Sequence, residues 1–170
     1  MKIRQTSAQL IVAFLGGAVA CLLSNQAMAS TADACALISQ AEVGTALGVA
    51  VGPGEHLTPT QTSYCTWHEE GNEKRRNVKV SVLTEQQYQL PKSITSGPSV
   101  NTPETGIGDE AYFSKSKGMV YILSVKKGAN YIRVQARSNA DALAKSNDAA
   151  NDEKDKDIDR AIAREILKKL

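Results

Sequence analysis

Histidine, cysteine and long apolar runs are all scarce in this 170-residue chain, and each scarcity excludes something. There are two histidines, His56 and His68, both in or beside polar stretches, and no G-x-S-x-G element supplies a nucleophile for either. Three cysteines occur, Cys21, Cys35 and Cys65, with no C-x-x-C pair among them and no histidine at metal-ligand spacing. No metal, cofactor or catalytic residue is therefore expected. No apolar run reaches the roughly 20 residues needed to cross a bilayer as a helix. The formal net charge is only +2, too small to call for nucleic acid or an anionic membrane as partner.

What is present begins with a leader. Lys2 and Arg4 precede an apolar stretch from Leu10 to Leu23, and Ala27-Met28-Ala29 stands before Ser30. A basic start, a short apolar middle and a small-x-small end predict a secretory signal peptide over 1–29, cut between Ala29 and Ser30. Residues 30–170 then form one exported domain, periplasmic or secreted. Two of the 20 basic residues leave with the leader, so 18 remain against 18 acidic ones. Ala18-Val19-Ala20-Cys21 is a second processing signal, a weak lipobox that would anchor the protein through a lipid on Cys21.

Export gives the cysteines their meaning. Without Cys21, Cys35 and Cys65 allow a single bridge in an oxidising compartment. It closes a loop of about 30 residues, worth on the order of 3–4 kcal/mol in the chain-entropy picture.

Along the chain the local signals are structural. Asp33 caps a turn over Ala34–Leu37. Ser39 and Glu42 form a capping box, with Ile38 and Val43 as its hydrophobic staple, for a helix over Gln40–Leu47 that Gly48 stops. Val49–Val51 reads as a brief strand broken by Gly52-Pro53-Gly54, and Glu55–Thr62 as a loop. Tyr64–His68 alternates as a strand with Cys65 and Trp67 on one face, and Trp67 is a core residue. Glu69–Asn77, including Lys74-Arg75-Arg76, is a solvated hairpin loop leading to a strand at Val78–Val82. Thr84 caps a short helix to Gln89, ended ahead of Pro91. Lys92–Glu104 is a long surface loop, the place to look for function. Gly106–Tyr112 turns into a strand, and Met119–Arg137 forms a hairpin around Lys127-Gly128. After a polar stretch over 138–156, with a weak helical turn at Asn139–Lys145, an amphipathic helix begins with Asp157 as its cap. Asp155, Asp157 and Asp159 do not make a calcium loop: Arg160 and Ile166 stand where such a loop needs Gly and Glu. They are read as solvating a linker and favouring the helix N-terminus.

Three of these segments together resemble a known family. They are Cys35-x-Leu37-Ile38-Ser39-x-Ala41-Glu42-Val43 with Leu47-Gly48, then Cys65-Thr66-Trp67, then Gly106-Ile107-Gly108-Asp109-Glu110-Ala111. The pattern is similar to that of small exported bacterial domains of unknown function, many of them lipoproteins. The resemblance implies a compact α+β domain, a curved antiparallel sheet with helices packed on it. It also implies a disulfide between Cys35 and Cys65, and it carries no catalytic residue.

Because the sharp motifs cap, turn or staple, the expectation is an exported, non-enzymatic binding module. Its ligand would be a protein, peptide or envelope component meeting the sheet or the Lys92–Glu104 loop. An inhibitor or immunity protein acting on an exported hydrolase is the specific form of that reading. A small hydrolase with dispersed residues, built on His56 or His68, is the rival.

Overall fold

The computed structural model describes residues 32–71, 76–93, 99–116, 119–139 and 149–170. The leader, its two processing sites, Lys74 and Arg75, and most of Asn139–Lys145 lie outside them. Seven strands form one antiparallel sheet: β1 (Glu55–His56), β2 (Tyr64–His68), β3 (Asn77–Leu83), β4 (Ser99–Glu104), β5 (Glu110–Ser116), β6 (Ile122–Lys127) and β7 (Asn130–Arg137). Their order across the sheet is β1-β2-β3-β7-β6-β5-β4. Two meanders, one from each half of the chain, thus meet along a single ladder, from Asn77↔Arg137 to Leu83↔Tyr131.

One face of the sheet carries Cys65, Trp67, Val78, Val80, Ala111, Phe113, Leu123, Val125, Ile132, Val134 and Ala136, all buried. Helix α1 (Gln40–Leu47) and helix α3 (Ala149–Leu167) lie with this core, contributing Val43 and Leu47, and Ile158, Ile162, Ala163 and Ile166. Helix α1 is built as its sequence dictates. The Ser39 side chain accepts from the Glu42 amide, Glu42 accepts in return from the Ser39 amide at 2.7 Å, and Gly48 takes the left-handed stop at φ 73°. A short 3-10 turn, Ala34–Ala36, is capped by Asp33, which accepts from the Cys35 amide. Cys35 and Cys65 are joined in a disulfide that ties this turn to β2. Helix α2 (Glu85–Ser93) lies against the opposite face, where Tyr88 packs with Leu83, Tyr112 and Tyr131. The protein is an α+β domain with helices on an antiparallel sheet and one bridge.

Several boundaries differ from the sequence expectations, each for a physical reason. The Glu55–Thr62 loop begins with β1, which pairs Glu55 with Thr66 and His56 with Cys65. Of Val49–Val51 only Val51 is bridged, to Glu69. Helix α2 runs through Pro91 instead of stopping ahead of it. Proline cannot donate to Gln87, four residues back, and that carbonyl accepts instead from Arg133 Nη2 at 3.5 Å. The Lys92–Glu104 segment is not all loop: Ser99–Glu104 is the edge strand β4, and an edge tolerates Pro103 and needs no apolar rhythm. The last helix starts at Ala149, well ahead of Asp157, which lies within it.

That last difference has its origin in two aspartates. Asp155 and Asp159 are buried one turn apart on α3 rather than solvating a linker. Asp159 Oδ1 accepts from the Ala136 amide at 2.7 Å and Asp155 Oδ1 from the Ser138 amide at 2.8 Å. The β6–β7 ladder ends at Leu123↔Val134, so helix carboxylates serve β7 where strand pairing stops. The expected hairpin is shortened accordingly. Tyr121 leaves the ladder and sets its ring edge-on to Phe113, 6.1 Å away, with Lys156 Nζ 4.0 Å above it.

Candidate functional site

The two histidines fall in different surroundings. His56, on β1, has Nδ1 3.0 Å from the Tyr64 carbonyl and 3.5 Å from Cys35 Sγ, and Nε2 3.4 Å from Asp33 Oδ1. A carbonyl only accepts, so that contact places the proton on Nδ1. The set Asp33, His56 and Cys35 also brings three ligand-type atoms within 4.8 Å of one another. Yet the sulfur is already bonded to Cys65. It is neither a thiolate ligand nor a nucleophile, and the imidazole serves as packing over the bridge. His68, at the end of β2, lines a cleft of about 410 Å³ with Gly52, Pro53, Glu55, Glu69, Glu70 and Gly71. Its Nδ1 is buried without a hydrogen-bond partner among the described residues. Glu69 is spoken for by Arg76, which donates to both its oxygens at 2.8 and 2.9 Å. Neither imidazole is hydrogen-bonded to a serine in the described structure.

Around β4, a smaller cleft of about 280 Å³ is lined by Lys92, Asn101, Pro103, Glu104, Glu110 and Tyr112. Its charges are matched internally: Lys92 pairs with Glu110, and Glu104 with Arg160. Val100 is exposed on the same strand. Pro103 has no amide to offer and blunts the edge as a template for another strand.

A broader polar surface is the second face of the sheet. Because side chains alternate along a strand, Tyr64, Thr66 and His68 share that face with Asn77, Lys79 and Ser81 and with Arg133, Gln135 and Arg137. Among the described residues, helix α2 covers the end holding Leu83, Tyr112 and Tyr131, reaching as far as Arg133, and Ser81 beside it is buried. Thr66, Gln135 and Arg137 remain half-buried and Lys79 exposed. The sheet is thus sealed by apolar packing on one side and polar on the other over β2, β3 and β7. Sequence reasoning saw the strands but not this face, because β3 and β7 are brought together from distant parts of the chain. The alternation of Lys79, Arg133 and Arg137 with buried valines and isoleucines was its only trace.

The electrostatics are strongest away from this face. Burial drives Asp159 well above the ordinary carboxylate range and raises Asp155 as well. Glu42 is held down to about 2, first by its hydrogen bond from Lys169 and then by the Ser39 amide and hydroxyl. Burial, with Glu110 nearby, lifts the Tyr88 phenol. These groups hold elements together.

No known protein family, curated protein or solved structure matches the chain. Among the described residues, no helix is long and apolar enough to cross a membrane.

Proposed function

We propose that this protein is an exported, non-enzymatic binding module that meets its partner with the polar half of its sheet. The observation that carries the reading is the asymmetry of that sheet. One face is closed by α1 and α3 over an apolar core, while β2, β3 and β7 present side chains that no helix among the described residues covers. A sheet braced from behind is a rigid platform, and a rigid surface loses little entropy on binding. The Cys35–Cys65 bridge, which is at home in an oxidising compartment, supports export. Processing after Ala29, the alternative anchor at Cys21 and kinship with the exported domains that share its motifs belong to the same proposal. The binding reading is favoured over hydrolysis because the carboxylate–imidazole pair found among the described residues, Asp33 with His56, ends on a bonded sulfur.

The test is site-specific photo-crosslinking in the native cell envelope. A crosslinking residue at Thr66 is expected to give a discrete adduct that one at Arg164, exposed on α3, does not. No adduct from position 66, or the same adduct from both positions, overturns the reading. Mass spectrometry of the recovered protein is expected to show an N-terminus at Ser30. A lipidated Cys21 would replace the free form by the anchored one.

A further inference from the structure

From the arrangement of charge on the open sheet face we infer that its partner is an acidic protein surface, recognised through carboxylates. This rests on the proposed function above and specifies the chemistry of that same face.

Three cations stand there as neighbours. Arg133 and Arg137 flank Gln135 on β7, and Lys79 of β3 lies directly opposite Gln135. Thr66 of β2 lies opposite Lys79, so a hydroxyl, an ammonium and an amide run in a row with one guanidinium on either side. Four residues along a strand separate the two arginines by about 13 Å. Among the described residues, none of the three cations pairs with a carboxylate, unlike Arg76, Lys92, Lys115 and Arg160. Arg133 donates one weak bond to Gln87, and its Nε is buried without an acceptor, so its Nη atoms and Arg137 are what the face offers. Strands β2, β3 and β7 contain no Asp or Glu at all. Two strand carboxylates are in register with this face: Glu55, out on β1 opposite Thr66, and Glu110 on β5, which Lys92 already pairs under α2. Asp155, close enough to Arg137 to feel its charge, is occupied by the Ser138 amide.

Unpaired guanidiniums on a rigid sheet are suited to planar carboxylates, which they meet through two parallel bonds. The cations are interrupted by the neutral Gln135 and Thr66, and the chain as a whole carries a formal charge of only +2. A continuous polyanion calls for an unbroken basic track and a strong field. Separate carboxylates set among neutral polar groups, as on a protein surface, fit this pattern better.

The test is a titration of the isotope-labelled, oxidised protein followed by amide chemical shifts. The probes are a peptide of alternating Glu and Ser and a polyphosphate of equal charge, both at physiological salt. Peptide-induced shifts are expected at Thr66, Lys79, Gln135 and Arg137. The doubly substituted Lys79→Gln/Arg137→Gln protein should bind at least about tenfold more weakly while melting as the parent does. Lys127→Gln, on the β6–β7 turn, should bind as the parent does. Shifts elsewhere, no peptide binding, or polyphosphate binding more tightly at this face overturn the acidic-protein assignment. Should the double substitution unfold the protein, Lys79→Gln alone, at an exposed position, is read in the same way. The two proposals fail separately. If the Thr66 adduct survives the double substitution, the face binds but not through its cations. If no adduct forms while the peptide still titrates, the chemistry stands and the native partner reading falls.

Discussion

At the scale of single residues, the tightest constraint is at Gly54. A Cβ there would lie 2.7 Å from Cys65 Sγ and 2.8 Å from the Trp67 indole, both almost fully buried. Gly54→Ala is therefore expected to cost about 1–3 kcal/mol, as overpacking does, seen as a lower urea midpoint with the disulfide intact. The sequence shows a glycine beside a proline and invites the reading of a simple breaker. The real demand comes from a ring folded over it from the next strand. Asp159 makes the complementary case, a charged residue whose place is inside. Removing its acceptor in Asp159→Ala should destabilise by roughly 1–3 kcal/mol, because the Ala136 amide is left unpaired. Asp159→Asn keeps an acceptor and removes the titration. A carboxyl raised in the folded state binds its proton more tightly there than in the unfolded chain. Its contribution is complete at acid pH and is lost as pH rises from the ordinary carboxyl range through the raised value. Urea midpoints should thus fall with rising pH over that window in the parent and less steeply in Asp159→Asn. Parallel curves would assign the slope to Asp155, which shifts in the same direction.

Among the elements, the ones legible in the sequence were those whose ends are written locally. Helix α1 is framed by Ser39, Glu42 and Gly48, and the structure uses all three as caps. Ser39→Ala should cost about 1 kcal/mol by thermal or urea unfolding. The effect also reaches α3, because Glu42 accepts from Lys169 at 2.8 Å while it closes the box. Its carboxyl, held at about 2, contributes stability at neutral pH that is lost as pH falls through that value, opposite in sign to Asp159. Elements whose ends depend on partners were misread. The first two turns of α3 carry Asp152, Glu153 and Asp155 and read as a solvated linker; the Ser138 amide just past β7, donating to Asp155, docks them as a helix. Strand β4 read as loop because an edge strand needs only one neighbour, here β5. The run through Pro91 in α2 goes with Arg133, 46 positions beyond Gln87, donating to the Gln87 carbonyl.

For the whole molecule, the bridge and the last helix set cooperativity. The Cys35–Cys65 loop spans 30 positions, so reduction should lower stability by about 3–4 kcal/mol. Paired denaturation curves with and without reductant measure this, and a thiol assay on the untreated protein should find neither cysteine free. The architecture, an antiparallel sheet with helices and one bridge, was foreseen from motif resemblance. The candidate binding face was not, since it exists only where the two meanders join. The pairing of β3 with β7 was beyond any local pattern.

That join has a consequence for how the chain acquires its structure. Strand β3 finds its second neighbour only when β7 has been made, and the apolar side of β7 and β6 is closed by α3. A chain synthesised from its N-terminus cannot complete this core until α3 has emerged, and non-local pairing of this kind is slow. An early, self-sufficient half is denied to it. A protein ending at residue 148 is expected to remain unfolded, with no dispersed amide spectrum. Late closure is also what a chain needs if it must be threaded through a narrow channel before it folds.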